Sequence, residues 1–136
     1  AIPDGRLGAV STSRGCNFTC TFCSQQKFWE RSWRSRAPEK VVEEIRWQHD
    51  EQGVNVVLIT DEYPTQDAAR WEELLDRLIT LDRDLYLLME TRAEDIVRTD
   101  AIDLTRWEKV FIYNHLAQGG RRLPIAGPAR GRFVRA

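Results

Sequence analysis

The chain predicts an α/β fold with a parallel sheet built from βα units. Three observations carry this expectation. Short, almost continuously apolar runs recur along the chain, as in parallel strands covered on both faces. Between them lie segments with apolar residues at helical spacing. Strand starts fall roughly every 25–45 residues, the length of a strand–helix–strand unit.

Leu7–Thr12 is the first strand candidate. Val54–Thr60 (VNVVLIT) is a β-branched run and the clearest strand of the chain. Leu85–Met89 (LYLLM) and Val110–Tyr113 (VFIY) are two more. Pro38 suits a first helical position, and Val41, Val42, Ile45 and His49 share one face before Gly53 ends the segment. Trp71, Leu74, Leu75, Leu78 and Ile79 form a 3.6-period stripe on a helix from about Gln66 to Leu81. A third helix is expected over Ala93–Trp107. Four strands and three helices do not close an eight-unit barrel, which needs on the order of 250 residues. They make a small open sheet or the first half of a larger barrel.

The 136 residues are 42% hydrophobic and 30% charged, with a net charge of −1, which suits one soluble domain. No apolar run reaches the roughly 18 residues of a membrane span, so none is expected. The first residues, Ala-Ile-Pro-Asp-Gly-Arg, have neither an initiating Met nor a secretory signal pattern, which reads as a piece of something longer. Charge is uneven: residues 118–136 hold five Arg and no acidic residue, leaving −6 for residues 1–117. The same tail holds four of the eight Gly and two of the five Pro. Apart from Phe133 it lacks interleaved aromatics, and it has no periodicity, so it reads as a linker or an end foreign to the domain; no nucleic-acid partner is expected.

All three cysteines lie within eight residues, Cys16-Asn-Phe-Thr-Cys20-Thr-Phe-Cys23, on a loop opened by Ser13-Arg14-Gly15 directly after the first strand. An odd count argues against a disulfide framework and for a reduced, cytoplasmic setting. Three thiolates at spacings of four and three suit an iron–sulfur cluster, whose fourth iron then stays open to a small molecule. Zinc is the main alternative; it usually takes four ligands, and His49 and His115 are remote in sequence. A catalytic thiol would not need three clustered cysteines.

Cys16-x3-Cys20-x2-Cys23, with an aromatic before the last cysteine, resembles the signature of radical S-adenosylmethionine (radical SAM) enzymes. The resemblance implies a partial (β/α)6 TIM-like barrel whose first half this chain supplies, with residues 1–117 as a partial domain and 118–136 as the tail. It implies that Cys16, Cys20 and Cys23 bind a 4Fe–4S cluster whose open iron is chelated by the SAM amine and carboxylate, and that Phe22 packs beside the adenine. Thr60-Asp61-Glu62-Tyr63-Pro64 stands at the end of the second main strand, where many of these enzymes carry a Gly-Gly-Glu-like segment. Glu62 aligns with the glutamate that contacts the SAM amine, and the resemblance implies that Thr60 and Asp61 beside it also bind the cofactor. Glu90 and Arg92, after the third strand, are expected to line the SAM or substrate pocket, and Arg14 to sit near the cluster.

The segments Ser13–Cys16, Cys23–Trp29, Asp61–Pro64 and Leu87–Arg92 narrow the resemblance to the cobalamin-linked branch. Within it they are similar to the anaerobic magnesium-protoporphyrin IX monomethyl ester oxidative cyclases. In that branch a cobalamin-binding domain precedes the barrel, and nothing in these residues could supply it. The implied reaction is reductive cleavage of SAM to a 5′-deoxyadenosyl radical that abstracts hydrogen from a small molecule, a tetrapyrrole in the cyclases. The implied electron donor is of the flavodoxin or ferredoxin type. Asn114-His115-Leu116-Ala117 departs from the Gly- and Glu-containing segment the family carries after its fourth strand, so the chain is expected to leave the family frame near residues 100–115. The competing reading is a cluster- or zinc-binding module without turnover, because half the barrel is missing. An unpaired fourth strand would also favour oligomers or aggregates through the open sheet edge.

Overall fold

A computed structural model describes residues 4–92, Asp95 and the backbone of 110–112. The elements are β1 (Leu7–Val10), β2 (Ser13–Gly15), α1 (Gln25–Phe28), β3 (Trp33–Ser35), α2 (Pro38–Gln52), β4 (Val56–Ile59), α3 (Ala68–Leu81), β5 (Tyr86–Met89) and β6 (Val110–Ile112). Strands β1, β4, β5 and β6 form one parallel sheet in that order. Apart from Asp95, the expected helix over 93–107 lies outside the described residues, as do the segment 114–117 and the tail 118–136.

The parallel register follows from apolar runs that pay off only when covered. In β4, Val56, Val57 and Ile59 are buried, and each pairs with a residue of β1. Helices α2 and α3 join consecutive strands and pack against each other. Val41 and Ile45 of α2 and Trp71, Leu74 and Leu75 of α3 enter one core with Val10, Val54, Val57, Ile59, Leu85, Leu87 and Met89.

Pro38 occupies the first turn of α2. Gly53 ends it at φ 69°, with its N–H reaching the His49 carbonyl at 2.9 Å. Asp67 caps α3 by accepting the Arg70 N–H at 3.0 Å.

Three expectations need correction. The first strand stops at Val10, two residues short of Thr12, because Thr12 turns inward to a buried carboxylate. Ser13-Arg14-Gly15 is not loop but β2, paired antiparallel with β3 as a small second sheet. Ile79 does not join the α3 stripe: it is 52% exposed, while Leu78 packs on the core from one residue earlier. No helix of the described residues is long and apolar enough to cross a membrane.

Candidate functional site

The C-terminal ends of β1, β4 and β5 are adjacent because the strands are parallel neighbours. The cysteine loop leaves β2 after Gly15, and the segments after β4 and β5 meet it. Cys16, Cys20 and Cys23 are all half-buried with free thiols. The Cys23 N–H donates to the Cys20 carbonyl at 3.1 Å, and Gln26 Nε2 donates to the same oxygen at 2.9 Å. The loop is thereby tied to the helix α1 that follows it.

Phe18, between the first two cysteines, anchors the other side of the loop. Its ring meets Tyr63 edge-on with centroids 5.2 Å apart, and the Arg92 guanidinium stands 3.6 Å from its centroid. The residues after β4 and after β5 thus grip the same aromatic. Burial pushes the Cys16 thiol up; the Phe18 backbone hydrogen bond opposes this, the Cys20 and Cys23 charges add to it, and Arg92 opposes it.

Glu62 sits beside this loop. One carboxylate oxygen, Oε2, accepts the Gly15 N–H at 3.0 Å, and the other, Oε1, accepts the Trp29 indole N–H at 3.1 Å. Gly15 adopts φ +93°, and a Cβ there would run into the Ser32 carbonyl oxygen, so glycine is required where the chain turns into Cys16. Trp33 adds a second indole bond, to the Tyr63 carbonyl at 3.1 Å.

Asp61 has a different task. Buried at 4% exposure, it accepts the Thr12 N–H on Oδ1 at 2.7 Å and the Thr12 and Ser13 hydroxyls on Oδ2 at 2.6 Å each. These bonds pin the segment after β1 to the segment after β4. Arg70 reaches the Thr12 carbonyl with Nη2 at 2.6 Å and the Arg36 carbonyl with Nε at 3.0 Å. Burial pulls the Arg70 guanidinium down, and the charges of Asp61 and Asp67 push it back up.

The remaining sequence-derived residues spread around this rim. Thr60 is exposed, its N–H bonded to the Val10 carbonyl at 3.0 Å. Glu90 and Arg14 are exposed, and Phe22 is 58% exposed. Sequence reasoning gives no individual role to Phe18, nor to the indoles of Trp29 and Trp33. Their bonds join positions about thirty residues apart, which no local pattern encodes.

Among the described residues, no three His, Cys, Asp or Glu side chains gather closely enough to hold a single metal ion. A cubic cluster binds each thiolate through a different iron, so this spread does not conflict with one. Three half-buried soft donors on one pinned loop fit that group.

Residues 10–122 match the family described as the radical SAM superfamily. The chain belongs to that superfamily. It is 40% identical over 98 residues to the anaerobic magnesium-protoporphyrin IX monomethyl ester cyclase of Synechocystis sp., covering 71% of this chain and 19% of that protein. The cyclase of Rubrivivax gelatinosus is 38% identical over 97 residues, 71% of this chain and 17% of its own length. Cytidylyl-2-hydroxyethylphosphonate methyltransferase of Streptomyces wedmorensis is 39% identical over 69 residues, 51% of this radical SAM chain and 13% of the relative. The chain spans less than a fifth of the length of these curated relatives.

Proposed function

We propose that this chain carries the cluster- and SAM-binding part of a radical SAM enzyme. The observation that supports it best is the meeting of the Cys16-x3-Cys20-x2-Cys23 loop, which follows β2, with Glu62, which follows β4, joined by the Gly15–Glu62 hydrogen bond. Cys16, Cys20 and Cys23 hold the 4Fe–4S cluster. Glu62 accepts the amine of SAM, Phe22 flanks the adenine, and Thr60, Glu90 and Arg92 line the surrounding rim. Asp61 supports the site from beneath by fixing Thr12 and Ser13. When bound, the cluster and SAM supply the electron transfer and the 5′-deoxyadenosyl radical for hydrogen abstraction. The protein's own work is to orient the amine and to hold the cysteine loop through Phe18.

The cyclase names of two relatives support a tetrapyrrole as substrate class for the whole enzyme. The same likeness supports a cobalamin-linked parent with its cobalamin domain elsewhere, a flavodoxin- or ferredoxin-type electron donor and a cytoplasmic setting. Residues 1–117 form the partial domain in this reading, the first part of a (β/α)6 barrel, and the sheet edge left unpaired among the described residues is where another copy would pair. Little or no turnover is expected of this part alone. The test is anaerobic reconstitution with iron and sulfide. About four iron and four sulfide per chain, lost in Cys16→Ala, Cys20→Ala and Cys23→Ala, support the reading. Zinc retained with no iron uptake contradicts it.

A further inference from the structure

We propose that Trp29 is a positioning residue that aims the Glu62 carboxylate at the SAM amine, an inference that rests on the function proposed above. Glu62 is half-buried, and its two hydrogen bonds come from neutral donors, the Gly15 amide at 3.0 Å and the Trp29 indole at 3.1 Å. Neutral donors fix a carboxylate's direction without offsetting its charge. A carboxylate offers about four lone-pair sites, so each oxygen keeps one for a cationic partner. An ammonium group, with three donors in a compact charge, suits what remains.

The indole is itself held. Its single N–H is shared between Glu62 Oε1 and Gln25 Oε1, the latter at 3.0 Å, and Phe28 stacks edge-on against its ring at 4.9 Å. Gln25 opens the helix that follows Cys23, and Gln26 beside it bonds the Cys20 carbonyl. Trp29 therefore links the orientation of the cysteine loop to that of Glu62, so cluster and amine site are set in register by one short helix. Gly15, which precedes Cys16, holds the other oxygen of Glu62 from the opposite end of the loop. Only an N–H at this position does the work: phenylalanine fills much of the space but donates nothing.

The test uses Trp29→Phe, Glu62→Gln and the double variant. In the metal-free chain, the indole cross-peak absent from Trp29→Phe is expected to move in the ¹H–¹⁵N spectrum of Glu62→Gln. In the reconstituted chain, Trp29→Phe is expected to bind SAM about tenfold more weakly. It should bind 5′-methylthioadenosine, which lacks the amine, as the unchanged chain does. The double variant is expected to bind SAM no more weakly than Glu62→Gln alone. Additive losses, equal losses of both ligands, an unmoved indole signal, or unchanged SAM binding in Trp29→Phe overturn the positioning role. If the unchanged reconstituted chain fails to bind SAM, or Glu62→Gln binds it normally, the reading of Glu62 falls and the Trp29 proposal falls with it.

Discussion

Removing the Asp61 carboxylate is expected to be among the most damaging single changes at the site, and for reasons of stability. Its two oxygens serve three donors: the Thr12 N–H at 2.7 Å and the hydroxyls of Thr12 and Ser13 at 2.6 Å each. Thr12 is fully buried and Ser13 is 2% exposed, so water replaces the lost acceptor poorly. Hydrogen bonds to a charged acceptor contribute about 1.5–3 kcal/mol each, but these three share one group and do not add. Arg70, held on the Thr12 carbonyl, also loses a nearby countercharge. Asp61→Ala should therefore cost about 3–5 kcal/mol. Against a typical total of about 5–15 kcal/mol, that is a large share. Asp61→Asn keeps an acceptor for the Thr12 N–H and offers its amide to the two hydroxyls, so its cost should be about 1–2 kcal/mol. Urea unfolding followed by circular dichroism measures both variants. An Asp61→Ala chain within about 0.5 kcal/mol of the unchanged one would refute the claim that this carboxylate holds the strand ends together.

Gly15→Ala puts a methyl group against the Ser32 carbonyl at φ +93°, so the β2–β3 pair must shift. It should lower the melting temperature and abolish iron uptake together; an unchanged melting curve would contradict the geometry. Burial pushes the Tyr63 ionisation upward, and its hydrogen bond and charge contact with Asp95 push it further. Because the folded value is raised, that contribution to stability is complete below about pH 10, where an unfolded tyrosine ionises, and is lost as pH climbs above it. Urea midpoints should thus fall more steeply above that pH in the unchanged chain than in Tyr63→Phe, and parallel curves would refute this. Trp71→Ala empties the centre of the α2–α3 packing, where Trp71 is 1% exposed, and should cost about 3–5 kcal/mol in the same urea assay.

How much of this was legible in the sequence depended on whether the signal was local. The VNVVLIT run predicted β4 because both faces of a parallel strand are covered. Pro38 and Gly53 fixed the limits of α2 through backbone geometry that only those residues suit. Trp71, Leu74 and Leu75 mark the buried face of α3, although the helical spacing also includes Ile79, which is exposed. The cysteine motif was legible because its three members fall within eight residues. Strands β2 and β3 were not, since Ser-Arg-Gly and Trp-Arg-Ser are too short and polar to show an alternation. Asp61 and Glu62 stood out together as two acidic residues at a strand end, yet they do different work. One faces inward to Thr12 and Ser13, while the other faces the cysteine loop. That split is set by packing across nearly fifty residues of sequence, which no local pattern records.

The central claim is that the cysteine loop and Glu62 form one site for a cluster with an iron open to SAM. Electron paramagnetic resonance of the anaerobically reconstituted and reduced chain, recorded with and without SAM, tests it most directly. A reduced 4Fe–4S signal is expected that shifts on adding SAM, disappears in Cys16→Ala, Cys20→Ala and Cys23→Ala, and responds more weakly to SAM in Glu62→Gln. A reduced cluster indifferent to SAM, or no cluster signal at all, would contradict it.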